Sequence, residues 1–72
     1  MGEKFPVCSA GDVMRVIRSH DFVLTGQKGS HQKWRHVDGR MVIVAMHGSK
    51  SIPIGTLRSI IEGSKLTAHD FR

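Results

Sequence analysis

The sequence predicts a two-layer α+β domain with the order helix, strand, strand, strand, helix, and three observations carry that prediction. Apolar residues recur at helical spacing near each end of the chain, three short β-prone runs lie between them, and glycine-containing turns separate those runs closely enough to make consecutive strands antiparallel. Seventy-two residues have room for one core, so residues 1–72 read as a single domain.

The first helix starts at a capping box. In Ser9-Ala10-Gly11-Asp12 the serine hydroxyl can accept from a free backbone N–H, and the acid three positions on favours the positive end of the helix. Val13, Met14, Val16 and Ile17 then form one apolar stripe, with Asp12, Arg15 and Arg18 facing away, and the helix is expected to end near His20. Phe22-Val23-Leu24-Thr25 reads as the first strand and 26–30 as a turn. The second strand is expected from His31 to Val37 and the third from Arg40 to Met46, joined through Asp38-Gly39 as a type I′ hairpin turn.

A second helix follows. Pro53 and Gly55-Thr56 stand at its start, Leu57, Ile60 and Ile61 make its stripe, and Gly63 suits the position just past its end. Thr67-Ala68-His69-Asp70 has the form of another capping box, so residues 66–72 read either as a helix begun and cut short or as a frayed tail. Period-two alternation puts Trp34 on one face with Gln32 and His36, and His31, Lys33 and Arg35 on the other. Trp34 is assigned to the core rather than to base stacking, because a chain with few aromatics needs its largest one for burial. The third strand, Met41-Val42-Ile43-Val44-Ala45-Met46, is apolar on both faces. A solvated sheet face has no use for that, so a cover is expected: the chain's own tail, a second copy or a different protein, docked through strand 40–46.

Composition narrows the classes of function. No apolar run approaches the roughly 20 residues that span a bilayer, and the first six residues lack the apolar stretch of a secretory signal, so the expected setting is cytoplasmic, without a membrane. Cys8 is the only cysteine. It can form no internal disulfide and has no zinc-ligand pattern around it, so it reads as a bystander thiol. The net charge of +5 is concentrated in the middle, where residues 28–50 carry +4, against 0 before them and +1 after. A basic patch of this kind is the footprint of a protein that meets phosphates, RNA among them.

Within that patch, Lys28-Gly29-Ser30-His31 places an imidazole beside a flexible turn and among cations. Imidazole exchanges protons near neutrality, and a nearby cation favours its neutral, proton-accepting form. The bland alternative is a solvated surface histidine at the start of a strand.

Lys28-Gly29-Ser30-His31, Trp34-Arg35-His36, Asp38-Gly39-Arg40, Met46-His47-Gly48 and Gly55-Thr56-Leu57-Arg58-Ser59-Ile60-Ile61 occur in order, at the expected separations, and together resemble the HicA toxins of bacterial type II toxin-antitoxin systems. The Phe5-Pro6-Val7 lead-in and the tail from Leu66 to Phe71 are similar to longer members. The resemblance implies a fold like the double-stranded RNA-binding domain, an mRNA interferase activity with His31 as the catalytic histidine, and a HicB-type antitoxin that binds the toxin and masks its active site. Two positions depart from the common pattern. Gln32 stands where many members carry a second histidine or another residue, and Met46 where many have a proline.

The chemistry also follows from the residues. RNA carries its own nucleophile in the 2′-hydroxyl, so cleavage needs proton transfer and charge stabilisation but no metal and no cofactor. His31 is the expected general base or acid. Lys28 with the Gly29 and Ser30 amides would hold the phosphate, and Lys33 and Arg35 would bind flanking phosphates. One histidine cannot fill both proton-transfer roles at once, so Lys28, Ser30 or water must supply the other.

Three rival readings compete with this one. A metal site from His31, His36 and His47 is disfavoured because residues five apart in one strand face opposite ways. A non-catalytic RNA-binding module would use the same basic surface, and a pure interaction protein would need only the doubly apolar third strand. His36 and His47 read as structural or peripheral.

Overall fold

The computed structural model describes residues 6–46 and 51–72. His47, with the Met46-His47-Gly48 motif it belongs to, Lys50, and Phe5 of the lead-in lie wholly or partly outside the described residues. The elements are α1 (Ala10–Ser19), β1 (Val23–Lys28), β2 (His31–Arg35), β3 (Met41–Ala45) and α2 (Ile54–Ser64), followed by a 3-10 turn at Ala68–Phe71. The three strands form an antiparallel sheet in the order β1-β2-β3, with both helices packed on one face. The protein is thus a two-layer α+β domain of the double-stranded-RNA-binding-domain-like type.

The first helix begins as its sequence requires. The Asp12 N–H donates to Ser9 Oγ at 3.2 Å and the Ser9 N–H donates to Asp12 Oδ2 at 3.0 Å. Val13 and Ile17 are completely buried, with Met14 and Val16 packed against the same core. From the sheet the core receives Trp34, Val42 and Val44, and from α2 it receives Leu57, Ile60 and Ile61. Trp34, 1 % exposed, is the largest of these side chains; the Arg18 guanidinium lies 5.4 Å from its ring centroid. Cys8 is a core residue whose thiol donates to the Phe71 carbonyl at 3.2 Å, and burial pushes its pKa up.

Four local expectations are corrected. The first strand starts at Val23 and runs on to Lys28, so the turn expected over 26–30 shrinks to Gly29-Ser30. The polar stretch from Gly26 to Lys28 has no alternation to announce a strand; its extended form comes from pairing with Lys33, Gln32 and His31, across a bulge between Leu24 and Gly26. The second and third strands each end short of the expected limits, at Arg35 and at Met41–Ala45.

The Asp38-Gly39 connection is not type I′. Only Gly39 has positive φ (101°), and the Gly39 N–H donates to the His36 carbonyl at 2.9 Å. That geometry is a type I turn closed by a glycine bulge, the usual solution for a three-residue hairpin loop. Finally, Gly63 lies inside α2, and Lys65 takes the left-handed position after it (φ 62°). Glycine at 63 serves a different purpose. A Cβ there would stand 3.2 Å from the Met41 carbonyl oxygen, so the residue lets helix and strand approach.

Arg40 ties the hairpin to the helix layer. Its Nε donates to Asp38 Oδ2 at 2.7 Å, its Nη1 donates to the carbonyl of buried Ser64, and its guanidinium lies over Phe22. It belongs to the helix side of the sheet. The tail also docks there: Phe71 is 4 % exposed within the core, and the Thr67 N–H donates to Asp70 at 2.8 Å in a second capping box. Of the covers considered for the opposite sheet face, the tail is therefore excluded.

Three carboxylates have lowered pKa values for the same physical reason. Asp12, Asp38 and Asp70 each accept first from a backbone N–H, of Ser9, Arg40 and Thr67 respectively, which favours the ionised form. A folded-state pKa below the unfolded value gives stability that is present above about pH 4 and disappears as pH falls through the folded values. Denaturant titrations should show stability declining below about pH 4, and a variant carrying Asp12→Asn, Asp38→Asn and Asp70→Asn should show a shallower decline.

Candidate active site

Pairing builds the open face of the sheet in three cross-strand rows. The first is Val23, Arg35 and Met41; the second Gly26, Lys33 and Ile43; the third Lys28, His31 and Ala45. Lys28, His31, Lys33 and Arg35 are exposed, and none of the nine residues is acidic. Three cations and one imidazole thus share these rows, with no carboxylate among the nine residues to neutralise them. That arrangement attracts polyanions. Apolar side chains interleave with them: Met41 is 41 % exposed, Ile43 42 % and Val23 63 %.

His31 opens β2 directly across from Lys28, the last residue of β1, so both flank the two-residue Gly29-Ser30 turn. Gly29 has φ 59° while Ser30 is not in the left-handed region. This is the type II′ pattern, which wants glycine at the first central position.

The turn is held from both sides. The Met46 N–H donates to the Ser30 carbonyl at 2.6 Å, and Gln27 Nε2 donates to the Gly29 carbonyl at 3.1 Å. Gln27 in turn accepts from Gln32 Nε2 at 3.4 Å, and Gln32 accepts from the indole N–H of Trp34 at 3.2 Å. A chain of side-chain hydrogen bonds therefore runs from the core to the turn. Because a trans peptide is planar, with its C=O and N–H pointing opposite ways, drawing the Gly29 carbonyl toward the Gln27 and Gln32 side aims the Ser30 N–H toward the His31 side.

The residues singled out in the sequence fall together in part. Lys28, Gly29, Ser30 and His31 are contiguous around the turn, and Lys33 and Arg35 extend the same face along β2. Gln32 points the other way, into the hydrogen-bond chain beneath the sheet, so it acts on the turn and not beside the imidazole. Neither Gln27 nor the Trp34 to Gln32 link was anticipated. The available signal was a pair of glutamines flanking the turn symmetrically, which has meaning only once the register is known.

His36 is half-buried and set edge-on to Phe22, with ring centroids 5.2 Å apart, and the Asp38 N–H donates to its Nδ1 at 3.1 Å. Its place is at the hairpin loop, away from the open face. Among the described residues no three of His, Cys, Asp and Glu come together in a group that could hold a metal ion, and no helix is long and apolar enough to cross a membrane.

Fold and surface together define a small α+β domain with a fold like the double-stranded-RNA-binding domain, whose exposed sheet face is basic and, among the described residues, carries His31. The sequence model described as the HicA toxin of bacterial toxin-antitoxin systems matches residues 10–66, and the chain belongs to that family. It is the toxin member of a toxin-antitoxin pair, and its partner in general terms is an antitoxin. No curated protein matches the chain.

Proposed function

We propose that this toxin is an mRNA interferase, an endoribonuclease that cleaves RNA without a metal and uses His31 for proton transfer. The observation that carries the reading is the placement of His31 between Lys28 and Lys33 on an exposed face whose three paired rows hold no acid, beside a turn whose Ser30 amide is aimed at the same side.

In the reaction, a base removes the proton of a ribose 2′-hydroxyl, and the oxygen attacks the adjacent phosphorus. The bond to the 5′-oxygen of the next nucleotide breaks as that oxygen takes a proton, leaving a 2′,3′-cyclic phosphate and a 5′-hydroxyl. His31 supplies one of the two proton transfers. Lys28, Ser30 or water supplies the other. The extra negative charge on the phosphoryl oxygens is met by Lys28 and the Gly29 and Ser30 amides, while Lys33 and Arg35 hold flanking phosphates.

The same face supports a HicB-type partner. Its apolar residues and cations would be covered by a HicB-type antitoxin, which would mask His31 and relieve the exposure of Val23, Met41 and Ile43. The reaction is expected in the cytoplasm, where messenger RNA is found.

The mechanism is tested with the substrate. An RNA oligomer with 2′-deoxyribose at the cleaved linkage should bind normally and resist cleavage at that linkage, because the nucleophile is missing. Normal cutting of the modified linkage would exclude the mechanism. RNA binding with no cleavage of any RNA would favour a non-catalytic RNA-binding module.

A further inference from the structure

The open face has a depression next to His31. Gly26 sits on β1 in the row with Lys33 and Ile43, and its missing side chain leaves a hollow of about 270 Å³ lined by Gly26, Gln27, Lys28, His31, Lys33 and Ile43. The lining is largely apolar, while ammonium groups and the imidazole stand around it. Gly26 and His31 are diagonal neighbours across the β1 and β2 pair, and such neighbours lie about 7–8 Å apart.

A nucleotide has the complementary construction. Its base is a flat body with apolar faces and polar edges, and its phosphate is an anion a sugar's length away. A phosphodiester held between Lys28 and His31 brings the attached nucleoside over this hollow. Resting on the ribonuclease reading above, we propose that the hollow is a nucleobase subsite, which seats the base of the nucleotide whose 2′-hydroxyl attacks.

Gly26 is then the residue that makes room. No Phe, Tyr or Trp is among the lining residues, and the one ring there, the His31 imidazole, faces the phosphate in this reading, so the base is held by apolar contact with Ile43 and by shape, not by ring stacking. Contact of that kind discriminates by size and says little about the hydrogen-bonding edge of the base. The subsite therefore admits several bases and imposes at most a weak sequence preference.

Substitution at Gly26 separates this role from the fold. A Cβ added there meets no atom within 4 Å, and the residue is outside the left-handed region, so larger side chains can be accommodated. The test uses an RNA oligomer that the wild-type chain cuts at a known linkage, and the same oligomer with an abasic residue on the 5′ side of that linkage. Binding is read on versions with 2′-deoxyribose at the linkage, so that cleavage does not intervene.

Gly26→Leu is expected to melt no lower than the wild type, to bind the intact oligomer about tenfold more weakly, and to cut it about tenfold more slowly at limiting RNA. Gly26→Ala should fall between the two. On the abasic oligomer, wild type and Gly26→Leu should bind alike. A folded Gly26→Leu variant that binds and cuts the intact oligomer like the wild type would overturn the subsite while leaving the ribonuclease reading in place. So would an equal loss on intact and abasic oligomers. A wild-type chain that cuts no RNA would overturn both.

Discussion

Replacing His31 with alanine is expected to reduce RNA cleavage by about 10²–10⁴-fold, the usual contribution of a positioned proton-transfer group, and to relieve growth arrest on expression. The fold should survive. His31 is exposed on the open sheet face, away from the core, and surface substitutions of this kind change stability by about 0.5 kcal/mol or less. RNA affinity should also persist, because Lys28, Lys33 and Arg35 remain on the same face and supply the phosphate contacts. The measurement is a paired one: oligonucleotide cleavage and binding on the same purified variant, with growth followed in parallel. Cleavage and toxicity that persist in a folded His31→Ala protein would remove the histidine from the mechanism. Loss of binding together with cleavage would instead make it a contact residue.

The largest expected effect on stability is at Trp34. Its side chain is fully enclosed, donates to Gln32 and lies against the Arg18 guanidinium, so Trp34→Ala leaves a large cavity and an unpaired glutamine oxygen. Substitutions of this type cost about 3–5 kcal/mol. A domain of this size has roughly 4–11 kcal/mol in total, so the alanine variant should lose a large share of its stability and unfold at a markedly lower denaturant concentration than the wild type. Trp34→Phe fills most of the volume but removes the indole donor, and should fold with stability reduced by about 1–3 kcal/mol. Far-ultraviolet circular dichroism under denaturant is the suitable probe, since the chain has no other tryptophan to report by fluorescence. An alanine variant as stable as the wild type would mean that Trp34 does not support the sheet and helix layers as described.

Much of the architecture could be read from local signals. Ser9 and Asp12 name the start of α1, because a capping box satisfies backbone donors within four residues and needs no tertiary partner. The faces of β2 follow from strict alternation, which is why Trp34 points inward and His31, Lys33 and Arg35 point outward. The length of β1 could not be read in the same way. Gly26, Gln27 and Lys28 have neither β-branched side chains nor alternation, and they are extended only because β2 pairs with them. Similarly, Gly63 carries the composition of a helix terminus, yet its role is the close approach to Met41, a contact between residues far apart in the chain.

The candidate site divides along the same line. Its titratable and cationic members were visible, since Lys28, His31, Lys33 and Arg35 lie within eight consecutive residues, and the alternation of β2 assigns the faces of the last three. Gln27, Gln32 and Gly26 were not, because each acts through a partner on a neighbouring strand: Gln27 through Gln32 and the turn, Gly26 through the space it leaves against Lys33 and Ile43.

By itself, then, the chain's sequence determined the order of its elements, the inward placement of Trp34 and the basic character of the histidine-bearing strand. These depend on side-chain chemistry and spacing over a few residues, where covalent geometry dictates direction. Only the tertiary structure decided the turn geometry at Gly29-Ser30, the hydrogen-bond chain beneath it, the docking of the tail on the helix side and the hollow beside His31. Each of those depends on strand register and on which layer covers which face, and register is set by the packing of the whole domain and not by any one segment.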